Sequence, residues 1–94
     1  MKVPPKTLED ALNLLISILD QETMEIFAGR SEKDLKHYYC TAGVLIRKQF
    51  ELTKGNDELI ESCRQFSGQS ELDGEGASMV IVKALWQSLR QTRH

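Results

Sequence analysis

The chain has 94 residues, of which 40% are hydrophobic and 28% charged, and its formal net charge is −2. This composition is typical of a globular domain, and the longest apolar runs are far shorter than the roughly 20 residues that a membrane-spanning helix needs. The charge and the lack of a Lys/Arg cluster make nucleic acid an unlikely partner. The N-terminus, MKVPPKTLED, lacks the apolar run of a secretory signal, so we expect a cytoplasmic protein with no membrane contact.

Charge is distributed unevenly along the chain. Residues 1–30 and 51–76 are net acidic, whereas residues 31–50 and 77–94 are net basic. Because segments of opposite sign alternate, we expect a domain with separate acidic and basic surfaces.

Capping patterns predict the first two helices. Thr7 is an N-cap candidate with Asp10 three residues later, and the apolar residues that follow have helical spacing. They are Leu8, Ala11, Leu12, Leu15, Ile16 and Leu19. Asp20 is expected to end this helix and cap the second, which Gly29 would stop. The second helix would bury Met24, Ile26 or Phe27.

The third helix is predicted from Ser31 to about Phe50. Its core face would consist of Leu35, Tyr38, Tyr39, Ala42, Leu45, Ile46 and Phe50. The sequence TKGN then interrupts the helix, and Asn56 is a candidate N-cap for a fourth helix over about residues 57–66. A core position for Leu45 predicts a large loss of stability when this residue is truncated.

A polar loop, SGQSELDGEG, separates the fourth helix from a fifth near residues 76–91. The fifth helix has a broad inward face of Ala77, Ser78, Ile81, Val82, Ala84, Leu85, Ser88 and Leu89. A face of this width is typical of a central helix. We therefore predict an all-α fold, a compact bundle of four to five helices forming one domain over residues 1–94, with an ordered core over about 7–91.

Residues 37–56, HYYCTAGVLIRKQFELTKGN, concentrate side chains that can bind metals or act in catalysis. His37 and Cys40 are three residues apart, but zinc needs at least three protein ligands, and Cys63 and His94 are distant in sequence. We expect no metal and no cofactor. The helical spacing predicts an exposed His37, a half-buried and unreactive Cys40, and a more reactive Cys63.

Beside its core face, the third helix has a second row of residues that includes Arg47. Lys36, Cys40, Gly43 and Arg47 share one flank. A glycine inside a helix costs about 1 kcal/mol relative to alanine, so we expect another segment to pack closely at Gly43. Arg47 would then reach a carboxylate among Asp57, Glu58, Asp73 and Glu75. Arg47, Gly55 and Asn56 form a candidate cluster whose role is either structural or ligand-binding.

A strip along one edge of the fifth helix is a candidate partner face. It consists of Met79, Lys83, Trp86 and Arg90, which follow one another at i, i+4, i+7 and i+11. Trp, Met and Arg are enriched at protein interfaces. In the alternative interpretation, the first helix or the Pro4-Pro5 arm covers Trp86 and the cations reach past it into solvent.

The chain resembles a family of small, uncharacterised prokaryotic helical domains with the patterns TLEEAV, HFGLG..IRN.FGLW.GN and DDAS..I...LW..L. The matching residues are Pro5, Thr7, Leu8, Glu9, Ala11, His37, Gly43, Ile46, Arg47, Phe50, Leu52, Gly55, Asn56, Leu59, Ala77, Ser78, Ile81, Leu85, Trp86 and Leu89. The chain departs from the pattern at Lys48 for Asn, Glu51 for Gly and Thr53 for Trp. The resemblance implies a helical domain of unknown molecular function.

Two functions from different classes remain open after these observations. The first is a protein-interaction module that binds a protein partner or a further copy of itself. The second is a small-ligand-binding or regulatory domain that uses Arg47, Gly55 and Asn56. An enzyme is not expected, because the sequence has no GxSxG, P-loop or GxGxxG motif and no carboxylate within an apolar run.

Overall fold

The structure, a computed structural model, describes residues 4–91. Within this range it contains five α-helices, one 3-10 turn and no strand, which confirms the predicted all-α fold. The elements are α1 (Leu8–Ile18), α2 (Gln21–Ala28), the 3-10 turn (Glu32–Asp34), α3 (Leu35–Gln49), α4 (Asp57–Ser67) and α5 (Gly74–Gln91).

Side-chain caps begin α1 and α2 at the predicted residues. The Thr7 hydroxyl accepts a hydrogen bond from the Asp10 amide at 3.1 Å, and the Asp20 carboxylate accepts one from the Thr23 amide at 2.7 Å. Hydrogen bonds from Thr23 lower the pKa of Asp20 because they stabilise its ionised form. Each cap satisfies an amide that has no partner within its own helix, so local sequence is enough to predict these two starts.

Two other elements begin at residues that differ from the prediction. Ser31 opens a 3-10 turn rather than an α-helix: the Asp34 amide donates to the Ser31 carbonyl at 3.0 Å, and α3 begins after this turn. Helix α5 begins at Gly74, before the predicted start near residue 76, because the Asp73 carboxylate accepts a hydrogen bond from the Gly76 amide at 2.8 Å. The loop before α5 is therefore shorter than predicted.

Helix α5 is the centre of the bundle, as its broad apolar face predicted. It contacts each of the other four α-helices. Its buried residues are Ala77, Ser78, Ile81, Val82, Ala84, Leu85 and Leu89. Helix α4 packs on the Ala77 side, where the Cys63 thiol donates to the Ala77 carbonyl at 3.8 Å, whereas α3 packs on the Ser78 side. Helices α3 and α4 thus lie on different sides of α5.

Gly43 is buried where α3 packs against α5, so another segment does pack at this position, as the sequence predicted. A Cβ atom at this position would lie 3.4 Å from the Ser78 hydroxyl oxygen and 3.8 Å from a guanidinium nitrogen of Arg47. Gly43 is buried together with Leu35 and Ile46. The inward face of α3 is therefore centred closer to the Gly43 flank than hydrophobic periodicity indicates.

The prediction that Leu45 belongs to the core is wrong. The Leu45 side chain is 62% exposed. Because glycine has no apolar side chain, the periodicity of apolar residues placed the core stripe too far from Gly43. Leu45 precedes the buried Ile46 by 100° of helix rotation and points away from α5, so truncating it would remove no core packing.

The end of α3 holds a non-glycine residue in the left-handed region. Glu51 has a φ of 55°, and the Leu52 amide after it donates to the Arg47 carbonyl at 3.0 Å. This hydrogen bond is the one that defines a Schellman motif, in which glycine is the common residue at the left-handed position. Leu52 is 2% exposed, and its burial holds Glu51 in this conformation.

The two cysteines have exposures opposite to those predicted. Cys40 is exposed, and Cys63 is completely buried between α4 and α5. Gly43 lies at the edge of the buried face of α3. Cys40 is exposed because it lies beyond this edge, further around the helix. Burial raises the pKa of Cys63 from 9.0 to about 11, because the thiolate would lose its hydration.

We expect a thiol reagent to label Cys40 rapidly at neutral pH, and Cys63 only when the domain opens. Labelling followed by mass spectrometry would measure both rates, with Cys40→Ser as the variant that loses the fast phase. Because folding raises the pKa of Cys63, the stability that this thiol contributes is complete below pH 9 and declines as the pH rises towards 11. Fast labelling of both cysteines would contradict the position of α4.

Replacing Glu51 by glycine should raise the free energy of unfolding by about 1 kcal/mol, because glycine adopts the left-handed conformation without a steric penalty. Urea unfolding measures this difference. The control is Glu51→Ala, which removes the carboxylate but keeps the Cβ atom. An equal gain in the alanine variant would show that the charge, rather than the backbone conformation, limits stability at this position.

Candidate functional site

The predicted partner strip of Met79, Lys83, Trp86 and Arg90 lies against the connection between α2 and α3. The Trp86 indole donates a hydrogen bond to the Arg30 carbonyl at 2.9 Å. The Arg90 guanidinium donates to the Ala28 carbonyl at 3.1 Å and to the Arg30 carbonyl at 3.5 Å. It also lies 4.8 Å from the centre of the Trp86 ring, a cation–π distance. These contacts satisfy carbonyl groups at and after the end of α2.

The other two strip residues differ in their surroundings. Lys83 forms an ion pair with Glu32 at 3.0 Å, and this carboxylate raises the pKa of Lys83 by favouring its charged form. Met79 is 39% exposed. Three of the four strip side chains thus join α5 to the α2–α3 connection, and Arg30 provides the hydrogen-bond partner of Trp86. Use of the strip by a partner stays a prediction, and a partner there would compete with these internal contacts.

Arg47 contacts a hydroxyl group instead of a carboxylate. Its guanidinium donates to the Ser78 hydroxyl at 3.1 Å, and that hydroxyl donates to the Glu75 carbonyl at 2.6 Å. Ser78 is fully buried. The prediction that Arg47 pairs with an acid is wrong: among residues 4–91 no ion pair includes it. Arg47 follows Gly43 by one helical turn and therefore lies along the contact with α5.

Asn56 connects the N-terminal arm to the end of α3. Its side-chain amide donates to the Pro5 carbonyl at 3.0 Å and to the Phe50 carbonyl at 2.8 Å. The predicted capping role is wrong in one respect, since Asn56 precedes α4 but its side chain does not cap that helix. The preceding Gly55 has a φ of 101°, which few other residues adopt.

A shallow hollow of about 360 Å³ opens beside this arm. It is lined by Pro4, Lys6, Glu51, Lys54, Gly55, Asn56, Asp57 and Glu58. Arg47 does not line this hollow, so the fold divides the predicted cluster: Gly55 and Asn56 lie at the arm, and Arg47 lies at the α3–α5 contact.

Potential metal ligands do not cluster in the described part of the chain. Residues 4–91 contain no group of three or more His, Cys, Asp or Glu side chains that could hold a metal ion. His37 and Cys40 are both exposed on α3. No helix in the same range is long and apolar enough to cross a membrane.

The side of α3 that faces solvent forms a surface of two adjacent rows with i, i+4 spacing. The first row is Lys36, Cys40, Val44 and Lys48, and the second is His37, Thr41, Leu45 and Gln49. All eight residues are exposed. We refer to them as the outer α3 face.

The outer α3 face combines apolar side chains with positive charge. Val44 is 48% exposed and Leu45 is 62% exposed. Lys36 and Lys48 stand on either side of Val44 in its row, and α3 contains no acidic residue. Apolar periodicity did not reveal this face because it placed Leu45 in the core, although the spacing of Lys36, Val44 and Lys48 does predict one row. Such a surface suits a partner with apolar and acidic side chains.

Comparison with known proteins identifies the family. Residues 4–89 match the family described as a domain of unknown function, DUF6794. The chain belongs to this family. The DUF6794 match extends from the arm before α1 to Leu89, so it includes α1 to α4 in full and most of α5, and its description assigns no activity. No curated protein and no solved structure matches the chain.

In this DUF6794 domain, Arg90→Met should lower the free energy of unfolding by about 1 kcal/mol, because two backbone carbonyls lose a charged donor at a partly exposed site. The matched control is Lys83→Met, which removes an exposed ion pair and should leave the melting temperature almost unchanged. Thermal unfolding measures both. Wild-type stability of Arg90→Met would show that its contacts to α2 contribute nothing to the fold.

Proposed function

We propose that the domain is a protein-interaction module that docks partners on the outer α3 face. The observation that supports this function is the exposed pair Val44 and Leu45 on a helix without acidic residues. Isolated exposed apolar residues are common on protein surfaces and need no explanation. Here two of them lie about 100° apart around α3, and Lys48, one turn further along, lies between their directions.

The energetics favour a partner with two kinds of side chain. Complete burial of a fully exposed valine or leucine side chain contributes about 1.5–3 kcal/mol. Val44 and Leu45 are already partly covered, so the pair offsets only part of the association cost of about 4–15 kcal/mol, and the partner must add further contacts. The lysines add little affinity in water but select partners whose carboxylates meet them. The proposed partner therefore presents apolar residues flanked by acids.

Other functions have less support from the geometry. A ligand site built on Arg47, Gly55 and Asn56 would need these residues together, whereas the hollow at Gly55 and Asn56 does not include Arg47. That the domain is not an enzyme stays a prediction; it rests on the lack of a GxSxG, P-loop or GxGxxG motif in the sequence. Nucleic acid is not proposed as a partner, because the chain has a net charge of −2.

A cytoplasmic location also belongs to this proposal. Both cysteines are free thiols, and Cys40 is exposed on the docking surface itself. Exposed free thiols are compatible with reducing compartments and are uncommon where disulfides form.

A double variant, Val44→Ser with Leu45→Ser, should lose partners that the wild-type domain captures from a native lysate. Both positions are exposed, so the helical circular dichroism spectrum and the melting temperature should change little. The matched control is Ile26→Ser, which removes a 51% exposed aliphatic side chain from α2. Capture of the same proteins by the wild type and the double variant would contradict docking on the outer α3 face.

A further inference from the structure

We propose that the end of α1 is the contact surface of a two-fold symmetric dimer of this domain, with Ile18 of each copy at its centre. The surface consists of three aliphatic residues on one side of the last two turns of the helix, Leu14, Leu15 and Ile18. We refer to them as the α1 end face. This face shares no residue with the outer α3 face, so the inference is independent of the proposed docking function.

Helix α1 is rich in aliphatic side chains but buries few of them. Its buried residues are Leu8 and Ala11, and both lie in its first half. The other aliphatic residues of the helix are partly buried or exposed: Leu12, Leu14, Leu15, Ile16 and Ile18. The second half of α1 therefore carries most of the apolar surface that the fold leaves uncovered on this helix.

Burial changes along a single side of α1. Ala11 and Ile18 are seven residues apart, so their directions differ by only about 20° around the helix axis. Ala11 is completely buried, whereas Ile18 is 61% exposed. Seven residues of α-helix span about 10 Å. The side of α1 that is packed at Ala11 is thus open to solvent at Ile18, so the end of the helix extends past the part of the bundle on which its start packs.

The connection to α2 leaves this helix end uncovered. Leu19 ends α1 with an extended backbone, Asp20 caps α2, and α2 packs on α5. A single exposed aliphatic residue is normal on a protein surface. Here Ile18 follows Leu14 by one turn and Leu15 by three residues, so the three side chains form one continuous apolar surface.

The lack of charge around the α1 end face favours a second copy as its partner. Residues 11–19, ALNLLISIL, contain no charged residue, although 28% of the chain is charged. At a two-fold axis each group lies near the same group of the other copy, so a charge at the centre of such a contact would meet its own like charge. A face without charge avoids this repulsion. It also offers nothing to a partner that is selected by charge.

Symmetry doubles the contribution of a small surface. Each copy buries the same three residues in an isologous contact, so every side chain contributes twice against one association cost. The face covers about two helical turns, which is less than a stable interface of standard size buries. The expected dimer is therefore weak, with a dissociation constant on the order of 100 μM.

Sedimentation velocity from about 1 μM to 1 mM tests the dimer. The wild-type chain should pass from monomer to dimer and grow no further, because an isologous contact is closed. Ile18→Arg should weaken dimerisation at least tenfold, since it brings two like charges together at the axis. The matched control is Ile26→Arg, which changes a 51% exposed isoleucine on α2 outside the face and should dimerise as the wild type does.

A mixture of charged variants tests the two-fold arrangement itself. Ile18→Glu and Ile18→Arg should each be monomeric alone, and an equimolar mixture should form a 1:1 dimer because residue 18 of one copy lies against residue 18 of the other. Added sodium chloride should weaken this mixed dimer but not the wild-type dimer, whose contact contains no charge. Circular dichroism should show that both variants keep the wild-type helical spectrum, since the changed side chain is exposed.

A wild-type chain that remains monomeric up to about 1 mM would overturn the inference. An Ile18→Arg chain that dimerises like the wild type would do the same, as would a mixture of the two charged variants that stays monomeric. If the pure chain is monomeric and Ile18→Arg instead loses a protein captured from lysate, the α1 end face binds a different protein and the inference is wrong. Docking through Val44 and Leu45 is measured separately and is unaffected by these results.

Discussion

The close packing of α3 against α5 at Gly43 is the contact on which the other features of the molecule depend. A Cβ atom there would lie 3.4 Å from the Ser78 hydroxyl oxygen, which is van der Waals contact, so the site has room for little more than a methyl group. Arg47, one turn further along, then reaches Ser78 as a hydrogen-bond donor. Because this flank faces inward, the opposite flank of α3 must face solvent. The exposure of Leu45 is a direct consequence.

The central position of α5 also separates charge. Helix α3, which has basic residues and no acids, lies on one side of α5, and α4, which is net acidic, lies on another. The chain therefore has a basic surface on α3 and an acidic surface on α4, although its net charge is only −2. Molecules with this distribution attract partners of complementary charge, including copies of themselves, and the apolar residues on each surface decide whether a brief encounter becomes a stable contact.

The strip around Trp86 shows why residue type alone is weak guidance to an interface. Tryptophan and arginine are enriched at protein interfaces, but their donors are equally suited to the unsatisfied carbonyls where a helix ends. Trp86 donates a hydrogen bond to a carbonyl after the end of α2, and Arg90 donates one to the carbonyl of the last residue of α2. By contrast, Val44 and Leu45 have no polar group to engage, and their exposure is not compensated by any hydrogen bond.

Local chemistry in the sequence was sufficient to predict much of the fold. The caps Thr7 and Asp20, the broad apolar face of α5 and the need for close packing at Gly43 depend on neighbouring residues or on helical period. Three features depended on the rotation of α3 about its own axis: the exposure of Leu45, the exposure of Cys40, and the hydroxyl partner of Arg47. Hydrophobic periodicity identifies a stripe of apolar side chains, but it takes no account of a buried glycine, which has no side chain. Gly43 is buried but adds no apolar side chain to the stripe, so only the packed structure shows which flank of the helix is buried.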